Sequence, residues 1–155
     1  MKSTEEIVAK AIQHFCAYRE RSQQEVRDKL YDMGLHQREV EQIIADLISK
    51  GFVSEERFAR AFAGGKFRIN GWGKIKIRNA LIHKKVSPKC IELGLDSIDE
   101  RDYSASLKKI LNQKLKSGTE KNNFIRKNKA ARFALSRGFE PELVWGILGE
   151  PTEEL

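Results

Sequence analysis

The sequence predicts an all-α chain of about nine helices, arranged as three tandem three-helix modules of helix-turn-helix type. Three observations predict it. Helix-forming Ala, Leu, Glu, Lys, Gln and Arg fill long stretches, and only three prolines interrupt 155 residues. Apolar residues recur at helical spacing, whereas β-branched alternation is scarce. Start and stop signals follow one another at short intervals. With 40% hydrophobic and 33% charged residues, the chain suits a few small modules better than one large core.

The elements follow in order. Ser3-x-x-Glu6 and Ser22-x-x-Glu25 read as capping boxes opening the first two helices. Met33-Gly34 ends the second, with glycine in the left-handed conformation. Val40, Ile43, Ile44, Leu47 and Ile48 mark the apolar face of the third helix, which Lys50-Gly51 closes. Ser54 precedes Glu55 and Glu56, so acids occupy the first turn of the fourth helix, where the dipole favours them. A fifth helix starts near Gly73. Ser87-Pro88 gives the sixth an N-cap and a first-turn proline. Tyr103, Leu107, Ile110, Leu111 and Leu115 trace the seventh. Phe124, Arg126 and Ala130 to Leu135 lie in the eighth, which stops at Gly138, and Glu140-Pro141 starts the last.

Residues 28–35, 78–86 and 132–139 each run from a helix through a turn to an apolar residue. This weak self-similarity, with a period of roughly 50 residues, suggests repeats rather than one bundle. Modules are expected over residues 1–53, 54–98 and 99–155, in an elongated array.

Charge is not spread evenly over them. The chain carries a net +7, with the three modules at −1, +6 and +2. Between Glu56 and Glu92 there are ten cations and no acid, and a second acid-free run separates Glu120 from Glu140. Such runs suit a polyanion or an acidic protein surface, although a solvated helix face is the alternative. The second and third helices resemble a helix-turn-helix DNA reader in length, but Glu39, Glu41 and Asp46 make the third a poor visitor to a phosphate-lined groove. The central module is the better candidate. In a helix starting near Gly73, Lys74, Arg78 and Lys85 fall within about 40° of one another. Ile77 and Leu81 flank that stripe on one side, Ile75 and Ile82 on the other.

Several chemistries are disfavoured. Gly71-Trp-Gly-Lys74 lacks the spacing and the following Ser or Thr of a phosphate loop. His14, His36 and His83 are scattered without ligand or nucleophile partners, so no metal, cofactor or catalytic residue is expected. Cys16 and Cys90 make no disulfide framework and read as reduced thiols. The polar start carries no signal-peptide pattern, and no apolar run reaches a membrane span. A cytoplasmic location without membrane contact is the expectation.

Four blocks carry a family resemblance: Arg21-Ser-Gln-Gln-Glu-Val-Arg-Asp-Lys-Leu30, Lys50-Gly-Phe-Val-Ser-Glu-Glu-Arg-Phe-Ala59, Gly71-Trp-Gly-Lys-Ile-Lys-Ile-Arg-Asn-Ala-Leu81 and Lys129-Ala-Ala-Arg-Phe-Ala-Leu-Ser-Arg-Gly-Phe139. Together, from about Phe15 to Leu148, they resemble the RecX family of bacterial regulators of the RecA recombinase. The resemblance implies a curved molecule of three-helix repeats. It also implies a non-enzymatic role: binding in the groove of the RecA–single-stranded-DNA filament and inhibition of RecA ATP hydrolysis, strand exchange and coprotease activity. The expected partners are RecA in its filament, single-stranded DNA and, secondarily, double-stranded DNA, with this chain as a monomer. The expected contact set is Lys66, Arg68, Trp72, Lys74, Lys76, Arg78, Lys84 and Lys85. Trp72 would stack on a base or anchor a protein contact, the alternative being packing on its own module. Lys121, Arg126, Lys127, Lys129, Arg132 and Arg137 form a secondary basic surface, with a core-supporting role as the alternative for Arg132. A free-standing DNA-binding protein is the rival reading. Family members usually have leucine where Val26 stands, an acid where Ser54 stands and proline where Lys74 stands. They commonly have glycine where Lys85 ends its helix, so the 71–86 segment is where a departure in shape is expected.

Overall fold

In the computed structural model, which describes residues 3–149, the serine half of each expected capping box forms, while the Glu25 carboxylate turns to Arg19 and Lys84 instead. The outer ends of the first and third expected modules, residues 1–2 and 150–155, lie outside the described residues. Ser3, Ser22 and Ser54 accept hydrogen bonds from the N–H groups of Glu6, Glu25 and Arg57, each satisfying a donor orphaned at a helix start. His36, which no sequence signal marked, opens the third helix; its N–H donates to the Glu39 carboxylate at 3.4 Å. Among the described residues there are nine helices and no strand: α1 (Thr4–Tyr18), α2 (Gln23–Asp32), α3 (Gln37–Ser49), α4 (Glu55–Asn70), α5 (Lys74–His83), α6 (Pro88–Asp96), α7 (Glu100–Ser117), α8 (Asn123–Ser136) and α9 (Pro141–Leu148).

The stop signals hold as well. Gly34, Gly51 and Gly138 have φ of 89°, 81° and 97°. Lys85, standing where glycine was expected, takes φ 62° itself. Its N–H reaches Ile82 O and the Val86 N–H reaches Leu81 O, so α5 ends as a glycine-capped helix would. The departure is therefore strain at one residue, not a change in path.

The chain divides into two compact units, residues 1–62 with 81–94 and residues 63–80 with 95–155; α4, α5 and α6 each contribute to both. The first unit's core joins Ile12, Cys16, Val26, Leu30, Val40, Ile44, Leu47 and Val53. Burial pushes the Cys16 thiol pKa above its ordinary value. Gly94 of α6 crosses α4 so closely that a Cβ there would stand 2.7 Å from Ala59 O. Glu25 gathers cations in the same unit, with Arg19 at 3.2 Å and Lys84 at 3.6 Å. The second unit buries Phe67, Ile77, Tyr103, Leu107, Leu111, Ala134, Phe139 and Val144. Full burial of each large side chain is worth about 1.5–3 kcal/mol, which fixes α7, α8 and α9 against one another. The helical periods slightly overstate the buried faces: Ile48 stays 43% exposed, on the rim of α3.

Candidate interface for a polyanion

The basic loop after α4 is held by main-chain bonds within the second unit. Gly71, at φ 68°, turns the chain out of α4, and the Trp72 N–H donates back to Lys66 O at 3.1 Å. The next three N–H groups all find protein acceptors. Gly73 N–H reaches Arg137 O at 2.7 Å, Lys74 N–H reaches the Tyr103 hydroxyl at 2.8 Å, and Ile75 N–H reaches Gly138 O at 2.9 Å. The N-terminus of α5 thus meets the C-terminus of α8, positive dipole end to negative. This is the physical reason the Gly-Trp-Gly-Lys stretch is no phosphate cradle: the donors that would grip phosphate are already used.

Two glycines permit this contact. A Cβ on Gly73 would lie 2.3 Å from the Gly138 carbonyl carbon, and one on Gly138 would lie 2.3 Å from Lys76 Cβ. Tyr103 locks the junction. Its hydroxyl accepts from Lys74 N–H and donates to the Glu140 carboxylate, while its ring packs between Phe67 and Phe139 at 5.7 and 5.1 Å. Burial, reinforced by the hydrogen bond to Glu140, pushes the Tyr103 pKa well above the ordinary tyrosine value; the Lys74 N–H opposes the shift. Arg137 completes the frame, donating to Asn70 O at 3.3 Å with its guanidinium 5.1 Å from the Phe133 ring centre.

On this frame the structure brings part of the expected contact set together. The ammonium groups of Lys66 and Lys76 lie 4.8 and 4.7 Å from the half-buried Trp72 ring. That is cation–π distance, and the indole holds two positive charges over its ring. Lys74 points to the Tyr103 ring at 5.0 Å. Arg68 is exposed and folds back over Gly64, where a Cβ would meet its Nη1 at 2.8 Å. Arg78 is half-buried on α5, whose Ile77 and Leu81 face the interior while Ile75 and Ile82 stay 41% and 56% exposed. Lys84 and Lys85 belong to the other unit. Lys84 pairs with Glu25 and approaches the Phe62 ring at 5.7 Å, and Lys85 is exposed.

The secondary cluster separates by role. Lys121, Lys129 and Arg132 are exposed and Lys127 is half-buried; Lys129 pairs with Glu120 at 2.6 Å. Arg132 therefore lies outside the core. Arg126 turns inward, donating from Nη2 to Leu115 O and burying its Nε. It closes the end of α7 and presents little charge to a ligand. Sequence reasoning missed Tyr103 and Glu140 as the lock of the junction. A signal existed, since a tyrosine on a buried apolar stripe needs a partner for its hydroxyl. Among the described residues no group of three or more His, Cys, Asp or Glu could hold a metal ion, and no helix is long and apolar enough to cross a membrane.

Comparison with known proteins gives a consistent result. Residues 10–47, 54–95 and 101–148 match the family models for the first, second and third three-helix domains of RecX. The "Regulatory protein RecX" of Clostridium botulinum (strain Eklund 17B) is 30% identical over 132 residues, covering 84% of this chain and 61% of the relative. That of Clostridium acetobutylicum is 27% identical over 139 residues, covering 87% and 62%. The chain thus spans about three fifths of the length of these curated relatives. The crystal structure of RecX from Lactobacillus salivarius superposes with a TM-score of 0.84 at 18% identity, covering 90% of this chain and 91% of that one. A second crystal structure, of a regulatory protein RecX, gives 0.79 at 16% identity, covering 90% and 70%. At such identities the structural likeness is one of fold.

Proposed function

Since the chain belongs to the RecX family, we propose that it is a non-catalytic regulator of the RecA recombinase. In this reading it binds the groove of the RecA–single-stranded-DNA filament and inhibits RecA's ATPase, strand-exchange and coprotease activities in the cytoplasm. The match of all three family domains, in order along the chain, is the observation that carries the reading. The cations gathered around Trp72, drawn from a stretch of chain without acids, suggest a physical means. Lys66, Arg68, Trp72, Lys74, Lys76 and Arg78 would meet DNA phosphates or acidic RecA surface, with Trp72 as the aromatic anchor. Lys121, Lys127, Lys129 and Arg132 are a secondary contact, and Lys85 is a further one in the other unit.

The test is RecA's steady-state ATP hydrolysis on single-stranded DNA, with this chain titrated in below the RecA concentration. Strong suppression at a few per cent of RecA is expected, because masking DNA could not act at that ratio. No effect at equal concentration would overturn the reading. The concentration of cations around Trp72 also favours a second reading, a stand-alone DNA-binding protein. That reading requires tight binding to naked DNA with a steep salt slope, roughly −4 for six phosphate contacts on single strands. The regulator instead binds naked DNA weakly and the filament strongly.

A further inference from the structure

The first three helices leave a groove that their own side chains do not fill. It lies between α1 and α3, above the turn after α2, and encloses about 630 Å³. Its walls run from Thr4 to Gln13 on α1 and from Glu39 to Leu47 on α3, a length of about 12–14 Å at helical rise. Val8, Met33, Leu35 and Ile43 pack on the core beneath it yet remain only half-buried. The acidic side chains that line it are Glu5, Glu39 and Asp46, all exposed, and no Lys or Arg is among the lining residues. Asp46 reaches Lys50 at 3.1 Å, an exposed pair that an incoming cation can replace at little cost. This polarity is the reverse of that of the chain as a whole, which carries a net +7.

We propose that this groove docks a cationic amphipathic helix of a protein partner. The apolar face of that helix would cover Val8, Met33, Leu35 and Ile43, and its Lys or Arg flanks would meet Glu5, Glu39 and Asp46. Two helical walls two to three turns long suit a further helix, read as anchors at i, i+3, i+4 and i+7. The acidic rim repels phosphate, so nucleic acid is a poor occupant and a basic protein segment a good one. The basic α5 of a second copy offers no matching stripe. On that helix the exposed Ile75 and Ile82 are separated by Arg78 and Asn79 on the same face, while Ile77 and Leu81 are buried. The inference stands apart from the RecA reading, because it concerns a different surface and opposite charge.

The test uses the whole chain and a fluorescent synthetic peptide of about 14 residues with Leu along one helical face and Lys along the other. Binding in the micromolar range is expected, weakening with salt, with amide NMR shifts concentrated in α1, α3 and the turn after α2. The variant Glu5→Lys/Glu39→Lys/Asp46→Lys should lower affinity by about tenfold or more. Ala9→Trp, which fills the groove from α1, should do the same. Thermal melting of both variants checks that the fold is kept; if Ala9→Trp unfolds, the triple variant decides. Equal binding by a scrambled peptide of the same composition overturns the proposal. So does undiminished binding by the triple variant, or shifts that lie elsewhere. Sedimentation showing a dimer that Ala9→Trp breaks would make a second copy the occupant and also overturn it.

Discussion

Replacing Gly73 with alanine tests the junction on which the basic surface is built. The new Cβ would stand 2.3 Å from the Gly138 carbonyl carbon and 2.4 Å from both Gly138 O and Phe139 N. All three are main-chain atoms, so no side chain can swing away, and the two segments must part by about 1 Å to approach normal contact distance. The hydrogen bonds from Gly73 N–H to Arg137 O and from Ile75 N–H to Gly138 O, at 2.7 and 2.9 Å, would then stretch beyond useful range. Two orphaned donors at about 1–3 kcal/mol each, less about 0.5–1 kcal/mol for replacing glycine with a stiffer residue, leave a loss of roughly 3 kcal/mol. For a chain of this size that is a fall in Tm of about 6–12 °C. Circular-dichroism melting checks it, with Gly146→Ala as the control. Gly146 lies exposed within α9 with no atom near its would-be Cβ, so alanine there should stabilise by about 0.5–1 kcal/mol. A Gly73→Ala protein that melts within about 1 °C of the parent would refute the main-chain crossing.

Three further outcomes are expected. Lys85→Gly should relieve the left-handed strain at φ 62° and raise stability by about 1 kcal/mol in a urea titration; an unchanged midpoint would mean the helix end is not strained as described. Tyr103→Phe removes a hydroxyl that serves both Lys74 N–H and Glu140, costing about 1–3 kcal/mol near neutral pH. Because the folded-state pKa of Tyr103 is raised, its proton stabilises the native state fully below the unfolded value, about 10, and that contribution is lost as pH rises above it. The parent should therefore lose more stability than Tyr103→Phe between neutral pH and about pH 10.5, and equal losses would contradict the assignment. Lys74→Glu/Lys76→Glu/Arg78→Glu should abolish suppression of RecA ATP hydrolysis and reduce the salt slope of any DNA binding by about 2. If binding to both filament and DNA survives those changes, this surface is not the contact.

The features legible in the sequence are those whose physics is local. Ser22, Ser54 and Ser87 cap helices because a hydroxyl beside a helix start can only bond the N–H groups just ahead of it, and Cys90 N–H accordingly donates to Ser87 at 3.4 Å. Gly34 and Gly51 end helices because the left-handed turn favours a residue without Cβ. Val40, Ile44 and Leu47 are buried because helical spacing leaves them one shared face. The junction that carries the candidate site was not legible. Gly73 and Gly138 look like two loop glycines, one before a helix and one after, and nothing in their neighbours says that the two loops touch. Local reading assigned Gly138 the duty of ending α8, which it performs at φ 97°, but it also gives up the space that Lys76 occupies. The same limit explains the basic residues. Periodicity put Lys74, Arg78 and Lys85 on one stripe, yet the groups that share an aromatic ring are Lys66 and Lys76, joined through Trp72 by a turn rather than by a helical repeat. Arg126 and Arg132, six apart on one helix, both read as surface charge, with a core-supporting role as the alternative for Arg132 alone. A Leu115 carbonyl left open at the end of α7 draws the first inward, while the second remains in solvent. Charge counted along a chain therefore fixes which segment is basic, and long-range main-chain bonding decides which cations a ligand can reach.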